Sequence, residues 1–125
     1  DDYSLGLKNS FVNECKSLGL DISAIESFSA NSVDFHAQLE SIKNKNPDLI
    51  FVPSYYEIVG LIVQQARDLN IKCSITGADS WIGVPKYTSN VSDLNNCYYC
   101  SPYSLDDPSK LSVEFRKNYV KKSNI

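Results

Sequence analysis

Apolar residues recur at helical spacing from Leu5 to Leu18, with Leu7, Phe11, Val12, Cys15 and Leu18 on one face. Ser4 or Asp2 can cap the start of this helix, and Gly19 can take the left-handed position beyond its end. Residues 20–28, LDISAIESF, read as a short strand. Ser32 or Asn31 can cap a second helix, in which Phe35, Leu39 and Ile42 share a face and which Pro47 stops. Residues 49–53, LIFVP, form a continuous apolar run, the pattern of a strand covered on both faces. Ser54 and Glu57 have capping-box spacing and predict a helix from Tyr55 to about Leu69, with Ile58, Leu61, Ile62 and Ala66 inward. IKCSITG at 71–77 is the next strand, followed by the loop GADSWIGVPKY with one helical turn. CYYCSPY at 97–103 is another strand or an extended segment. Asp107-Pro108 opens a last helix to about Lys121, with Leu111, Phe115 and Tyr119 on one stripe.

Helices alternating with strands give the rhythm of an α/β unit. The expected fold is a three-layer, Rossmann-like lobe with a mainly parallel sheet flanked by helices, spanning residues 1–125 as one unit. The chain opens directly on a helix cap. A leading strand is therefore expected before Asp1, and the sequence reads as a fragment.

Composition narrows the function classes. A chain of 125 residues, 42% hydrophobic and 22% charged, buries a core without disulfide staples. The net charge of −3, with no basic stripe, argues against nucleic acid or anionic membrane as partners. No apolar run approaches the roughly 20 residues of a membrane span. DDYSLGL is not the opening of a signal peptide, so either the protein is cytosolic or a targeting segment is missing from the sequence. Cys97 and Cys100 have CxxC spacing, but they fall in a strand-like run where residues three apart point to opposite faces. All four cysteines, Cys15, Cys73, Cys97 and Cys100, read as buried or half-buried structural thiols. One histidine and no second CxxC leave no zinc set, and no cofactor is implied.

In open α/β sheets, ligands bind beyond the carboxyl ends of the strands. Three such ends are visible: DDYS at the first helix, SYYE after LIFVP, and GADSW after KCSIT. They nominate Tyr3, Ser54, Tyr55, Asp79 and Trp81 as ligand contacts. Each has a plainer reading. Tyr3 can cover a helix end, one of Tyr55 and Tyr56 can be packing, Asp79 can cap a turn, and Trp81 can cover the sheet edge. Glu57 is most simply a capping acid. Catalytic signals are thin. His36 reads as a surface histidine able to pair with Glu40, and there is neither a nucleophile elbow nor a phosphate-cradling glycine loop. No catalytic residue is nominated.

The motifs D-F-x-A-Q-L, N-P-D-L-I-F-V, Y-Y-x-x-x-G, Q-A-R and G-A-D-S-W, in this order and spacing, carry a resemblance. The chain resembles the second lobe of the type 1 periplasmic binding proteins, in the leucine/isoleucine/valine-binding group of ABC-transporter receptors. D-Y-S-x-G-L at 2–7 and Y-S-x-D-D-P-S at 103–109 extend it over nearly the whole chain. The resemblance implies two α/β lobes that close on a small ligand. It implies an acidic residue at Asp79 on the ligand ammonium, an aromatic at Tyr55 bordering the ligand, and a tyrosine at Tyr3 reaching it. The group tends to carry Glu where this chain has the shorter Asp79. The implied role is non-enzymatic: an extracytoplasmic solute-binding component, periplasmic or lipid-anchored, that delivers an amino acid to a membrane permease. Alternatives are a sensor lobe of the same fold and a flavodoxin-like or sugar-processing enzyme domain. A lobe alone is expected to bind weakly or not at all, and to self-associate.

Overall fold

A computed structural model describes residues 1–104 and 106–123. It contains α1 (Asp2–Ser17), α2 (His36–Lys43), β1 (Leu49–Phe51), α3 (Tyr56–Asp68), β2 (Ser74–Gly77), β3 (Cys97–Tyr99) and α4 (Lys110–Ser123). Three 3-10 turns, Asp79–Trp81, Val84–Lys86 and Val91–Leu94, lie between β2 and β3. The strands form one parallel sheet in the order β1-β2-β3, with Ile50 level with Ile75 and Ile75 level with Cys97.

Alternating residues of β1 face opposite layers. Ile50 joins a core with Phe35 and Leu39 of the α2 segment and Val59, Ile62, Val63 and Ala66 of α3. Phe51 points the other way and stacks on Phe11 of α1, with ring centroids 4.3 Å apart. Helices thus flank both faces of the sheet. Leu49, at the start of β1, stays open on one side and is 44% exposed, so the run is covered on both faces only from Ile50 onward. The inward face of α3 centres on Val59, Ile62, Val63 and Ala66, while Ile58 and Leu61 are half-buried at its flanks.

The helix ends follow local chemistry. The Asp1 carboxylate caps α1 by accepting from the Ser4 N–H at 2.8 Å, in place of Ser4 or Asp2. Gly19 closes α1 with φ +70°, and the Leu20 N–H reaches back to the Cys15 carbonyl. Asn46 and Asn70 adopt the same left-handed conformation after α2 and α3. Neither Ser32 nor Asn31 caps α2. The Asp34 carboxylate accepts from the His36 N–H, and Gln65 of α3 grips the approach by accepting from Phe35 N–H at 2.7 Å and donating to the Val33 carbonyl at 2.8 Å. The capping box does not form either. Tyr55 is the N-cap of α3 without a side-chain bond, and Ser54 is drawn beneath the surface.

Residues 20–28 are not a strand. A strand exists by pairing, and none of their backbone groups bonds to another strand among the described residues. They are held by Gln38, which donates to the Ser27 carbonyl, and by Ser41, which donates to Glu26. The last helix begins at Lys110, later than Asp107-Pro108. The Asp107 carboxylate, in front of it, accepts from Ser109 and from Ser112 in its first turn. None of its residues is buried.

Arg67 is the principal polar fastener. Its guanidinium donates to the carbonyls of Ile71, Cys73, Asp93 and Asn95 and reaches the Cys97 thiol, joining the end of α3 to the chain entering β3. All four cysteines are free thiols. Cys15 is buried, Cys73 and Cys97 are half-buried, and Cys100 is exposed, contrary to its expected burial, because β3 has no strand neighbour on its outer side among the described residues. Burial raises the Cys73 and Cys97 thiols above the ordinary range, against the opposing pull of Arg67.

Candidate functional site

Three elements converge beyond the carboxyl end of the sheet. The first turn of α1 brings Tyr3, the β1–α3 loop brings Tyr55, and the 3-10 turn after β2 brings Asp79. The Tyr3 hydroxyl donates to Asp79 Oδ1 at 2.9 Å. The Tyr3 and Tyr55 rings stack, with centroids 5.1 Å apart and planes at 27°. Tyr55 is 43% exposed and Asp79 is exposed, so a carboxylate stands beside an open aromatic face. Asp79 also begins the 3-10 turn Asp79–Trp81.

Trp81 and Ser54 lie beneath this surface. Trp81 is 3% exposed, and its indole N–H donates to the Val52 carbonyl at 3.0 Å. The indole lies directly over Gly77, where any Cβ would overlap its ring. Ser54 is 4% exposed, and its carbonyl accepts from the Ser80 hydroxyl at 2.8 Å. Tyr56 turns away and packs on Tyr87, with ring centroids 5.1 Å apart; the Glu57 carboxylate beside its hydroxyl raises the Tyr56 pKa. Ser80 was not nominated from the sequence. A serine in a loop carries no signal of its hydrogen-bond partner.

The other titratable groups lie elsewhere. His36 Nδ1 sits 2.7 Å from Asp34 rather than pairing with Glu40, because the non-helical turn before α2 folds the Asp34 carboxylate back onto the helix start. Its bonds to the His36 backbone N–H and ring hold Asp34 below the usual carboxylate range. Among the described residues no group of three or more His, Cys, Asp or Glu side chains is placed to hold a metal ion. No helix among them is long and apolar enough to cross a membrane.

What the cluster can do follows from these contacts. A carboxylate with one oxygen engaged by a phenol can accept from a ligand ammonium with the other. Two stacked rings beside it can cover an apolar side chain.

No family model matches the chain. No curated protein matches it either. Solved structures do match. A leucine binding protein from Thermotoga maritima MSB8 aligns over 100% of this chain with TM-score 0.87 and 27% identity. A branched-chain amino acid transporter substrate binding protein from Streptococcus pneumoniae, solved in complex with isoleucine, aligns over 100% with TM-score 0.83 and 33% identity. The chain spans 36% of the length of each. The parallel sheet with flanking helices therefore matches a lobe of the periplasmic binding protein fold, and the structural neighbours of the chain are leucine- and branched-chain-amino-acid-binding proteins.

Proposed function

We propose that this chain forms one wall of the ligand cleft in an extracytoplasmic solute-binding component of an ABC transporter, and that the ligand is a branched-chain or related amino acid. The observation that carries this reading is the hydrogen bond from Tyr3 to Asp79 beside the stacked ring of Tyr55, on the open edge of the sheet. In this reading Asp79 takes the ligand ammonium, and Tyr3 and Tyr55 border its side chain. Ser54 and Trp81 support the wall from below. A second lobe, carried by the longer protein, supplies the opposite wall and the carboxylate contacts. Closure removes water from the Asp79–ammonium pair and strengthens it. The closed receptor presents its ligand to a membrane permease. The protein does no covalent chemistry.

The test is a thermal-shift panel of the twenty amino acids and several small carboxylates, run on the protein expressed from the complete reading frame, with Asp79→Ala as control. A ligand at one hundred times its dissociation constant adds about 2.7 kcal/mol to stability. A shift with leucine, isoleucine or valine, lost in Asp79→Ala, is the expected result. Stabilisation by a ligand without an amine, unchanged in Asp79→Ala, overturns the assignment.

A further inference from the structure

Asp79 sits on an exposed turn, where its carbonyl accepts from the Ile82 N–H and its carboxylate from Tyr3, but neither contact ties the turn to the loop that carries Tyr55. The two residues after it do. The Ser80 hydroxyl donates to the Ser54 carbonyl at 2.8 Å. The Trp81 indole N–H donates to the Val52 carbonyl at 3.0 Å. Both bonds run to the three-residue segment 52–54, which leads directly into Tyr55. That segment is itself fixed. The Val52 N–H donates to the Thr76 carbonyl of β2, and the Ser54 N–H turns back onto the Val52 carbonyl. Asp79 and Tyr55 thus come from separate loops tied together by two side-chain bonds beneath the surface.

We infer that Ser80, acting with the Trp81 indole N–H, is a positioning residue for the ligand wall: it holds the Asp79 carboxylate in register with Tyr3 and Tyr55. This rests on the amino-acid-binding reading above. Ser80 touches no ligand itself. Its hydroxyl is part-buried and is engaged by a backbone carbonyl that occupies its donor. Removing that donor loosens the 79–81 turn from the 52–54 segment and leaves the Trp81 indole bond as the remaining side-chain tie. The buried Trp81 ring, seated over Gly77, keeps the turn from unfolding. The consequence is a loss of alignment rather than of structure.

The experiment is a double-mutant cycle on the protein expressed from the complete reading frame, with leucine as probe. Ser80→Ala is made in the native background and in Asp79→Asn, which keeps a hydrogen-bond acceptor for the ammonium so that the weakened binding stays measurable, and Ser80→Thr restores the hydroxyl. Losing one neutral hydrogen bond predicts about three- to tenfold weaker leucine binding in the native background. It predicts a smaller further loss in Asp79→Asn, and recovery in Ser80→Thr. Trp81→Phe, which keeps an aromatic side chain but loses the indole N–H and the five-membered ring over Gly77, is expected to act in the same direction. An equal loss with and without the Asp79 carboxylate, or unchanged binding in Ser80→Ala, overturns the inference.

A ligand-free readout separates its failure from failure of the binding reading. Proton–proton contacts between the Tyr3 ring and the Asp79 methylene, measured by NMR, are expected to weaken in Ser80→Ala and return in Ser80→Thr. If the native protein binds no amino acid but these contacts weaken as described, the functional reading fails and the positioning stands as geometry alone. If the contacts do not change, the inference fails whatever binds.

Discussion

The Tyr3 hydroxyl and the Asp79 carboxylate meet across 76 positions of sequence, and their bond is exposed to water. A hydrogen bond in that setting contributes little to stability. Tyr3→Phe, which keeps the stack on Tyr55, is expected to cost about 1 kcal/mol or less in denaturant unfolding. Arg67 is a different case. Its fork engages four carbonyls and a thiol in partly buried surroundings, and a lysine cannot reproduce that geometry. Arg67→Lys is expected to cost about 2 kcal/mol in the same assay. Gly60 faces the Tyr87 backbone so closely that a Cβ would overlap its carbonyl. Gly60→Ala is therefore expected to cost about 1–3 kcal/mol, through displacement of backbone that no rotamer can relieve. Residue identity showed Tyr3, Tyr55 and Asp79 as candidates because strand ends are where ligands bind. It gave no means of separating Trp81 as a strut from Trp81 as a wall. That distinction depends on the bare backbone of Gly77 beneath the indole and on a carbonyl 29 positions away.

At the scale of elements, periodicity located α1, α3 and all three strands, because these patterns are local. It failed where partners are distant. Residues 20–28 carry strand-forming residues but bond to no strand, and α2 takes its N-terminal restraint from Gln65 rather than from Ser32 or Asn31. The capping-box spacing of Ser54 and Glu57 was a coincidence of sequence, since Ser54 is committed below the surface. The start of α4 depends on Asp107. Its carboxylate accepts from the Ser112 hydroxyl and from the N–H and hydroxyl of Ser109, which lowers its pKa from 3.8 to about 2. A carboxyl depressed by folding stabilises the folded form fully above its unfolded pKa and loses that contribution as pH falls through the folded value. Circular dichroism is therefore expected to show fraying of α4 as pH drops from about 4 towards 2, a transition that Asp107→Ala removes. A pH-independent signal over that range contradicts the assigned contacts.

For the whole molecule, the main feature is apolar surface without cover. Leu111, Phe115 and Tyr119 lie along α4 at 80%, 61% and 57% exposure, and β1 and β3 each have one edge without a strand neighbour among the described residues. Such surface favours association. Sedimentation is expected to show concentration-dependent self-association of this chain, weakened by Phe115→Glu with Tyr119→Glu. A monomer at every concentration tested would contradict that expectation. The sequence stripe on α4 was legible, but the absence of a partner for it was not, because amphipathicity states that a face needs cover and not where the cover lies.

The central claim is that Tyr3, Tyr55 and Asp79 form one ligand wall, and it can be tested on this chain directly. The measurement is an NMR titration with isoleucine, followed through the tyrosine ring and aspartate side-chain signals. The account predicts weak, saturable shifts centred on Tyr3, Tyr55 and Asp79, abolished by Asp79→Ala and absent when the probe lacks its amine. Saturable shifts centred elsewhere, or shifts at these residues that persist in Asp79→Ala, would contradict it.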